Sequence, residues 1–397
     1  MTIIPQRKVA RILSIDGGGI RGLIPATILK RWEVELGPIA QRFHMISGTS
    51  TGGILSCALT KPAPVPATEL VDMYQKRGPE IFSGDWTSLG GVASVMYDAA
   101  GLEKVVGETL GKATLGQVAK DLLVTTYDIE RRVPYLFKSW KARGYELNPG
   151  DKPKAFDFAL KDMSRATSAA PTYFQPAKIK ALDGTSYSVV DGGVFANNPA
   201  MCAYVAARRI YPKADEYLVV SIGTGATVHP IKYEDAINFG LVGWLKPLLD
   251  ILFDGSSAVT EYELSQIPSV TQYRFQADLT GSNEAMDDVT PENLANLVKV
   301  AEKSVAKYTP QMVQLMTKLK EPLTTLDALG YPARTAPVKP GTQVVSHAVV
   351  KPKPATTAAI IGAGVGTAIA PGPGTVAGAG VGYGLGWLSD KLGGLFS

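Results

Sequence analysis

Apolar residues fall along this chain in two alternating patterns. Short, nearly continuous apolar runs read as buried strands: Arg11–Ile15 (RILSI), Phe43–Ser47, Leu122–Tyr127 (LLVTTY), Tyr187–Val190 (YSVV) and Tyr217–Ile222 (YLVVSI). Between them lie segments with apolar residues at helical spacing. These are Ile20–Leu36, ended by Gly37-Pro38, then Gly53–Leu59, Ala155–Thr167 and Pro199–Ile210. Pro291–Leu319 adds further helix-forming stretches. Strands alternating with helices predict an α/β fold whose mainly parallel central sheet is covered on both faces.

The pattern changes near residue 330, so the folded α/β unit is expected to span 1–330. Residues 331–354 are proline-rich and read as a linker or extended segment. Residues 355–397 form a glycine-rich apolar tail, with no charged residue from Ala355 to Ser389. Its halves, Ala358–Ala370 and Thr375–Leu388, would each be about 20 Å long as helices, short of the roughly 30 Å hydrocarbon core of a membrane. Gly362 and Gly366, and Gly378, Gly382 and Gly386, have the spacing that lets helices approach closely in lipid. Two readings stand side by side: a glycine-faced hairpin in or on a bilayer, and a flexible tail.

Composition narrows the classes. The 397 residues are 45% hydrophobic and 19% charged, enough to bury a core. The net charge is +4, from 40 basic and 36 acidic residues without a long basic run, which argues against a nucleic-acid polymer as partner. Cys57 and Cys202 define no disulfide framework, and His44, His229 and His347 have no metal-ligand spacing, so no metal is expected. The N-terminus has no apolar stretch of secretory type. These points favour a cytoplasmic protein.

The chemistry concentrates in glycine-rich turns at strand ends. Gly48-Thr49-Ser50-Thr51-Gly52 is a G-x-S-x-G between a strand and a helix, the context in which a tight turn lifts a serine nucleophile above a sheet edge. Its bland reading is a loop capping a helix. Asp16-Gly17-Gly18-Gly19-Ile20-Arg21-Gly22 brings backbone amides to a place where an oxyanion can be held, with Arg21 adding positive charge. Gly17, Gly19 and Gly22 also match the dinucleotide fingerprint, but the next strand ends in the serine turn rather than in an acidic residue. Asp191-Gly192-Gly193 follows the Tyr187–Val190 run, which places Asp191 at a strand end where it can take a serine proton. The alternative for this stretch is an Asp-Gly turn with Asn197 or Asn198 capping a helix. Ser50, Asp191 and His229 also run in the order of a hydrolase triad, although His229 reads better as a solvated loop residue.

Together and in this order, these motifs resemble the patatin-like phospholipase family. Thr125–Asp128, Arg165–Phe174 and Ser221–Gly225 add to the likeness, which spans roughly Lys8 to Gly225. The resemblance implies a three-layer α/β/α sandwich and a Ser50–Asp191 dyad without histidine. It implies an oxyanion hole from the amides of Gly17, Gly18 and Gly19 supported by Arg21. It further implies a phospholipid or other acyl-ester substrate and no cofactor. Some bacterial members of the family degrade membranes in anti-phage defence when activated by a cyclic nucleotide, and the chain is compatible with that group. The expected location is the cytoplasm, in peripheral contact with the inner face of the membrane. The competing hypothesis is a membrane-interacting or pore-forming protein that acts through the glycine-rich hairpin.

Overall fold

Strand residues that alternate between two apolar environments require helices on both sides of a sheet, and the central strands here do so. In the computed structural model, which describes residues 7–83, 95–226 and 229–332, the first strand is β1 (Val9–Ile15). Leu13 and Ile15 join one buried cluster, while Ala10 and Ile12 join another on the opposite face. The remaining strands are β2 (Met45–Gly48), β3 (Asp121–Asp128), β4 (Val133–Lys138), β5 (Ala177–Lys180), β6 (Ser186–Asp191), β7 (Glu216–Ile222) and β8 (Val270–Phe275). They form one sheet of order β5-β6-β3-β2-β1-β7-β8, with β4 also paired to β3. The core from β3 through β8 is parallel, whereas β4, β5 and β6 run antiparallel to their partners.

The helices are α1 (Leu23–Leu36), α2 (Thr51–Thr60), α3 (Ala67–Ile81), α4 (Ala100–Leu110), α5 (Ser139–Ala142) and α6 (Leu160–Thr167). They continue as α7 (Gly193–Ala196), α8 (Ala200–Ile210), α9 (Tyr233–Ala236), α10 (Leu241–Ser265), α11 (Pro291–Lys307) and α12 (Thr309–Lys320). The larger cluster packs α1, α2, α3, α4, α6, α11 and α12 on one face. On the other face α8 contributes Ala203, Tyr204 and Ala207. The result is the expected α/β/α sandwich.

Two elements differ from the sequence reading and a third is divided, each for a local reason. The helix expected over Ala155–Thr167 begins only at Leu160. Before it, the Asp157 carboxylate accepts from the Gly116 amide at 2.9 Å and Leu160 N donates to Ala113 O, which commits the segment to a loop. Ile20 lies in a 3₁₀ turn rather than in α1, because its amide donates to Met286 O at 2.8 Å. The Pro291–Leu319 stretch splits at Tyr308, since Pro310 has no N–H with which to continue the α11 ladder.

After α12 the chain crosses the N-terminal ends of the strands as a strap. The Arg11 guanidinium donates to Leu319 O, Glu321 O and Pro322 O at 3.1–3.3 Å. His44 accepts from Arg11 N at Nδ1 (2.9 Å), so its Nε2 carries the proton and donates to Thr324 O (2.8 Å). Burial lowers the pKa of this histidine to about 4, and it stays neutral. Tyr331 is anchored there: its hydroxyl donates to Asp121 Oδ1 at 3.0 Å, beside Tyr211 on Oδ2 at 2.6 Å. The rest of the linker, the glycine-rich tail and His347 lie outside the described residues. Among the described residues, no helix is long and apolar enough to cross a membrane.

Candidate active site

The site is built by two strands that meet end to end along one edge of β3. On that edge Ser47 and Gly48 of β2 pair with Leu123 and Val124, and just beyond them Asp191 of β6 pairs with Thr126. The other edge of β3 is taken by β4. Because β2 is parallel to β3 and β6 antiparallel, their C-terminal ends point at each other. The turn after Gly48 and the carboxylate of Asp191 are therefore forced together, with only Thr125 between them on β3. The Thr125 hydroxyl fills that gap with a 2.7 Å hydrogen bond to Thr49 Oγ1, which also reaches Ala196 O at 2.6 Å.

Ser50 occupies a conformation that few side chains accept, φ 53° and ψ −125°. Two features hold it there. Its amide donates to Thr167 Oγ1 at 2.8 Å, and its carbonyl accepts from Ile54 N as α2 begins. The turn also needs backbone contact that only glycine permits, since a Cβ on Gly52 would collide with the carbonyl oxygen of Ile15. The serine side chain stands at the N-terminus of α2, where the helix dipole favours negative charge.

Asp191 is buried, with its amide bound to Ala169 O at 3.0 Å and its Oδ1 accepting from Gly193 N at 2.7 Å. Its Oδ2 is buried without a hydrogen-bond partner. Burial pushes the carboxyl up to about 7, against the smaller opposing pull of the Ser50 hydroxyl and the Gly193 amide. A carboxylate of that basicity beside a serine is a competent proton acceptor near neutral pH.

The glycine loop after β1 lies across from this pair. The Gly17 amide is already committed, donating to Asn197 O at 3.1 Å, so it differs from the donor that the resemblance implied. Among the described residues the amides of Gly18 and Gly19 have no hydrogen-bond partner, and both glycines line the same cavity as Ser50 and Asp191. Gly19 sits at φ +58°, with Met286 O where a Cβ would be. Arg21 is buried behind the loop; its Nε donates to Gly18 O at 3.4 Å and its Nη1 is unpartnered.

Two residues that sequence reasoning passed over fix this loop. Thr224 Oγ1 donates to Gly17 O at 2.5 Å. Arg274 donates to Asp16 Oδ2 at 2.7 Å and to Ser221 Oγ at 2.9 Å, and pairs through Nε with Glu261 on α10 at 2.8 Å. Burial raises Asp16 to about 6 in spite of Arg274. Little in the sequence signalled Arg274, because β8 (VTQYRF) mixes polar and apolar residues and a charge does not stand out there.

Ser50, Asp191, Gly18 and Gly19 open on a narrow cavity whose walls include Ile54, Ile81, Phe82, Leu102, Phe174 and Phe253. Such walls accept a hydrocarbon chain. His229 is not brought to the site. Its side chain is 83% exposed and its Nδ1 lies 2.9 Å from Glu284. Among the described residues no cluster of His, Cys, Asp or Glu could hold a metal ion.

A serine in a strained strand-to-helix turn, over an apolar cavity in an α/β/α sandwich, is the architecture of an acyl hydrolase. The family model described as patatin-like phospholipase matches residues 13–204. Patatin-like protein 2 of Oryza sativa subsp. indica is 34% identical over 346 residues, covering 74% of this chain and 83% of that protein. Patatin-like protein 2 of Arabidopsis thaliana is 33% identical over 349 residues, with 76% and 84% covered. Patatin-08 of Solanum tuberosum is 31% identical over 353 residues, with 78% and 88% covered. The chain belongs to the patatin-like phospholipase family and is a lipid acyl hydrolase.

Proposed function

We propose that the protein cleaves fatty acyl esters of membrane phospholipids through a Ser50–Asp191 dyad. The observation that carries this reading is the end-to-end meeting of β2 and β6, which sets the strained serine beside a buried carboxylate at the mouth of an apolar cavity. Asp191 takes the Ser50 proton as Oγ attacks the ester carbonyl. The tetrahedral oxyanion is received by the amides of Gly18 and Gly19, with the Arg21 charge behind them, while Gly17 shapes the loop. Collapse breaks the bond to the glycerol oxygen, which leaves with the proton from Asp191. Water, deprotonated by Asp191, then attacks the acyl-serine. The fatty acid departs and the proton returns to Ser50.

Fatty acid release from mixed phospholipid vesicles tests this reading. Ser50→Ala and Asp191→Asn are each expected to abolish release in proteins that remain folded. Release that persists in Ser50→Ala would overturn the reading. If membrane leakage persisted as well, action by a hairpin in residues 355–397 would be favoured instead. Activation by a cyclic nucleotide and a role in anti-phage defence rest on the sequence resemblance alone and form no part of this mechanism.

A further inference from the structure

Helix α10 is apolar on two opposite sides. At about 100° per residue, Leu249, Phe253, Ser257, Thr260 and Leu264 fall on one side, and all are buried. Phe253 forms part of the cavity wall. Trp244, Leu248, Ile251, Leu252, Val259 and Tyr262 fall diametrically opposite and face water; Leu248 is 50% exposed, Val259 55% and Tyr262 68%. A contiguous apolar face turned to water marks a surface that meets a second apolar phase.

Among the described side chains, the charges of α10 lie off this stripe. Asp250 and Asp254 act on the buried Arg21, and Glu261 is paired with Arg274. Glu263 borders the stripe near its C-terminal end and is exposed. The outward stripe is thus uncharged, and it ends in Trp244 and Tyr262, with Tyr233 of α9 also exposed. Indole and phenol rings favour the boundary between water and lipid. Only the thickness of one helix, about 10 Å, separates the stripe from the cavity that receives the acyl chain.

We propose that the outward stripe of α10 docks on the headgroup–acyl boundary of a phospholipid surface, holding the cavity against the lipid it hydrolyses. The inference rests on the lipid-hydrolase reading above for its purpose, but not for its observation. With no basic residue among the exposed members of the stripe, docking runs on apolar burial and requires no anionic lipid.

The test uses the full chain carrying Ser50→Ala and vesicles of phosphatidylcholine, with bound protein measured by co-sedimentation. Adding Leu248→Asp and Ile251→Asp is expected to lower partitioning about tenfold or more, while about 0.5 M NaCl leaves the parent's binding unchanged. With Ser50 restored, the double substitution lowers vesicle hydrolysis by a similar factor and leaves hydrolysis of a soluble short-chain ester within about twofold. Unchanged vesicle binding in the double variant overturns the proposal, as does binding abolished by salt. An equal loss on the soluble ester, or a parent dimer that the substitutions convert to monomer, also overturns it, by assigning the stripe to site shape or to self-association. If the Ser50-containing protein hydrolyses neither substrate, the hydrolase reading fails while the binding arm still decides the docking surface.

Discussion

Replacing the Asp191 carboxylate by a neutral amide of the same shape should make the protein more stable while removing its activity. The folded-state carboxyl lies at about 7, raised by burial from 3.8. A raised acid favours the folded state fully below pH 3.8, and that advantage is lost as pH climbs through 7. At pH 8 the ionised side chain therefore destabilises the fold by about 4 kcal/mol, at pH 5 by about 2, and at pH 4 by less than about 1. Asp191→Asn removes this penalty, so its advantage over wild type should grow from pH 4 to pH 8. Thermal unfolding by circular dichroism at the three values reads it directly, with a gain of several degrees at pH 8. The same ionisation governs catalysis, because the base must be unprotonated. Between pH 6 and pH 8 the ionised fraction rises about tenfold, and kcat/KM on a soluble ester should rise with it. A stability difference that stays flat from pH 4 to pH 8, or a rate that falls over that interval, would refute the reasoning.

Further outcomes follow from the same geometry. Gly52→Ala drives a Cβ into Ile15 O and should abolish activity and soluble yield, whereas Gly107→Ala in α4, with open space around it, should stabilise by about 0.5–1 kcal/mol in urea unfolding. Arg274→Met leaves Asp16 buried without its ion partner, a loss of about 3–5 kcal/mol at neutral pH. Part of that loss should return at pH 5, where the carboxyl takes up a proton, and a urea midpoint that is equally depressed at both values would speak against the pair. His229→Ala should keep kcat/KM within about twofold of wild type, since the exposed ring pairs with Glu284 and is not among the residues lining the cavity; a large drop with the fold intact would restore a triad.

Much of this was legible in the sequence because strand ends and glycine turns are local. The runs at Arg11–Ile15 and Tyr217–Ile222 lie within β1 and β7, and the turn at Ser50 joins β2 to α2 as its pattern requires. What stayed hidden depends on contacts between distant segments. No periodicity in Tyr187–Val190 reveals that β6 runs antiparallel to β3, yet that direction is what carries Asp191 to Ser50. The commitment of the Gly17 amide is decided by Asn197 in another loop. Helix α10 escaped notice for a different reason: apolar residues on two opposite faces blur the single stripe by which a helix is recognised.

The abutment of β2 and β6 along one edge of β3 has a consequence for how the enzyme should fail. Ser50 belongs to the buried interior, between β1 and β3, whereas Asp191 ends a strand held to β3 at three pairs and backed only by the edge strand β5. The two halves of the site are thus anchored in regions of unequal local stability. On warming, fraying of the β5–β6 flank would carry Asp191 away while the parallel core stays intact. Catalysis should vanish several degrees before the far-ultraviolet signal does, and amide exchange should be faster at Val189 and Val190 than at Ile46 and Ser47.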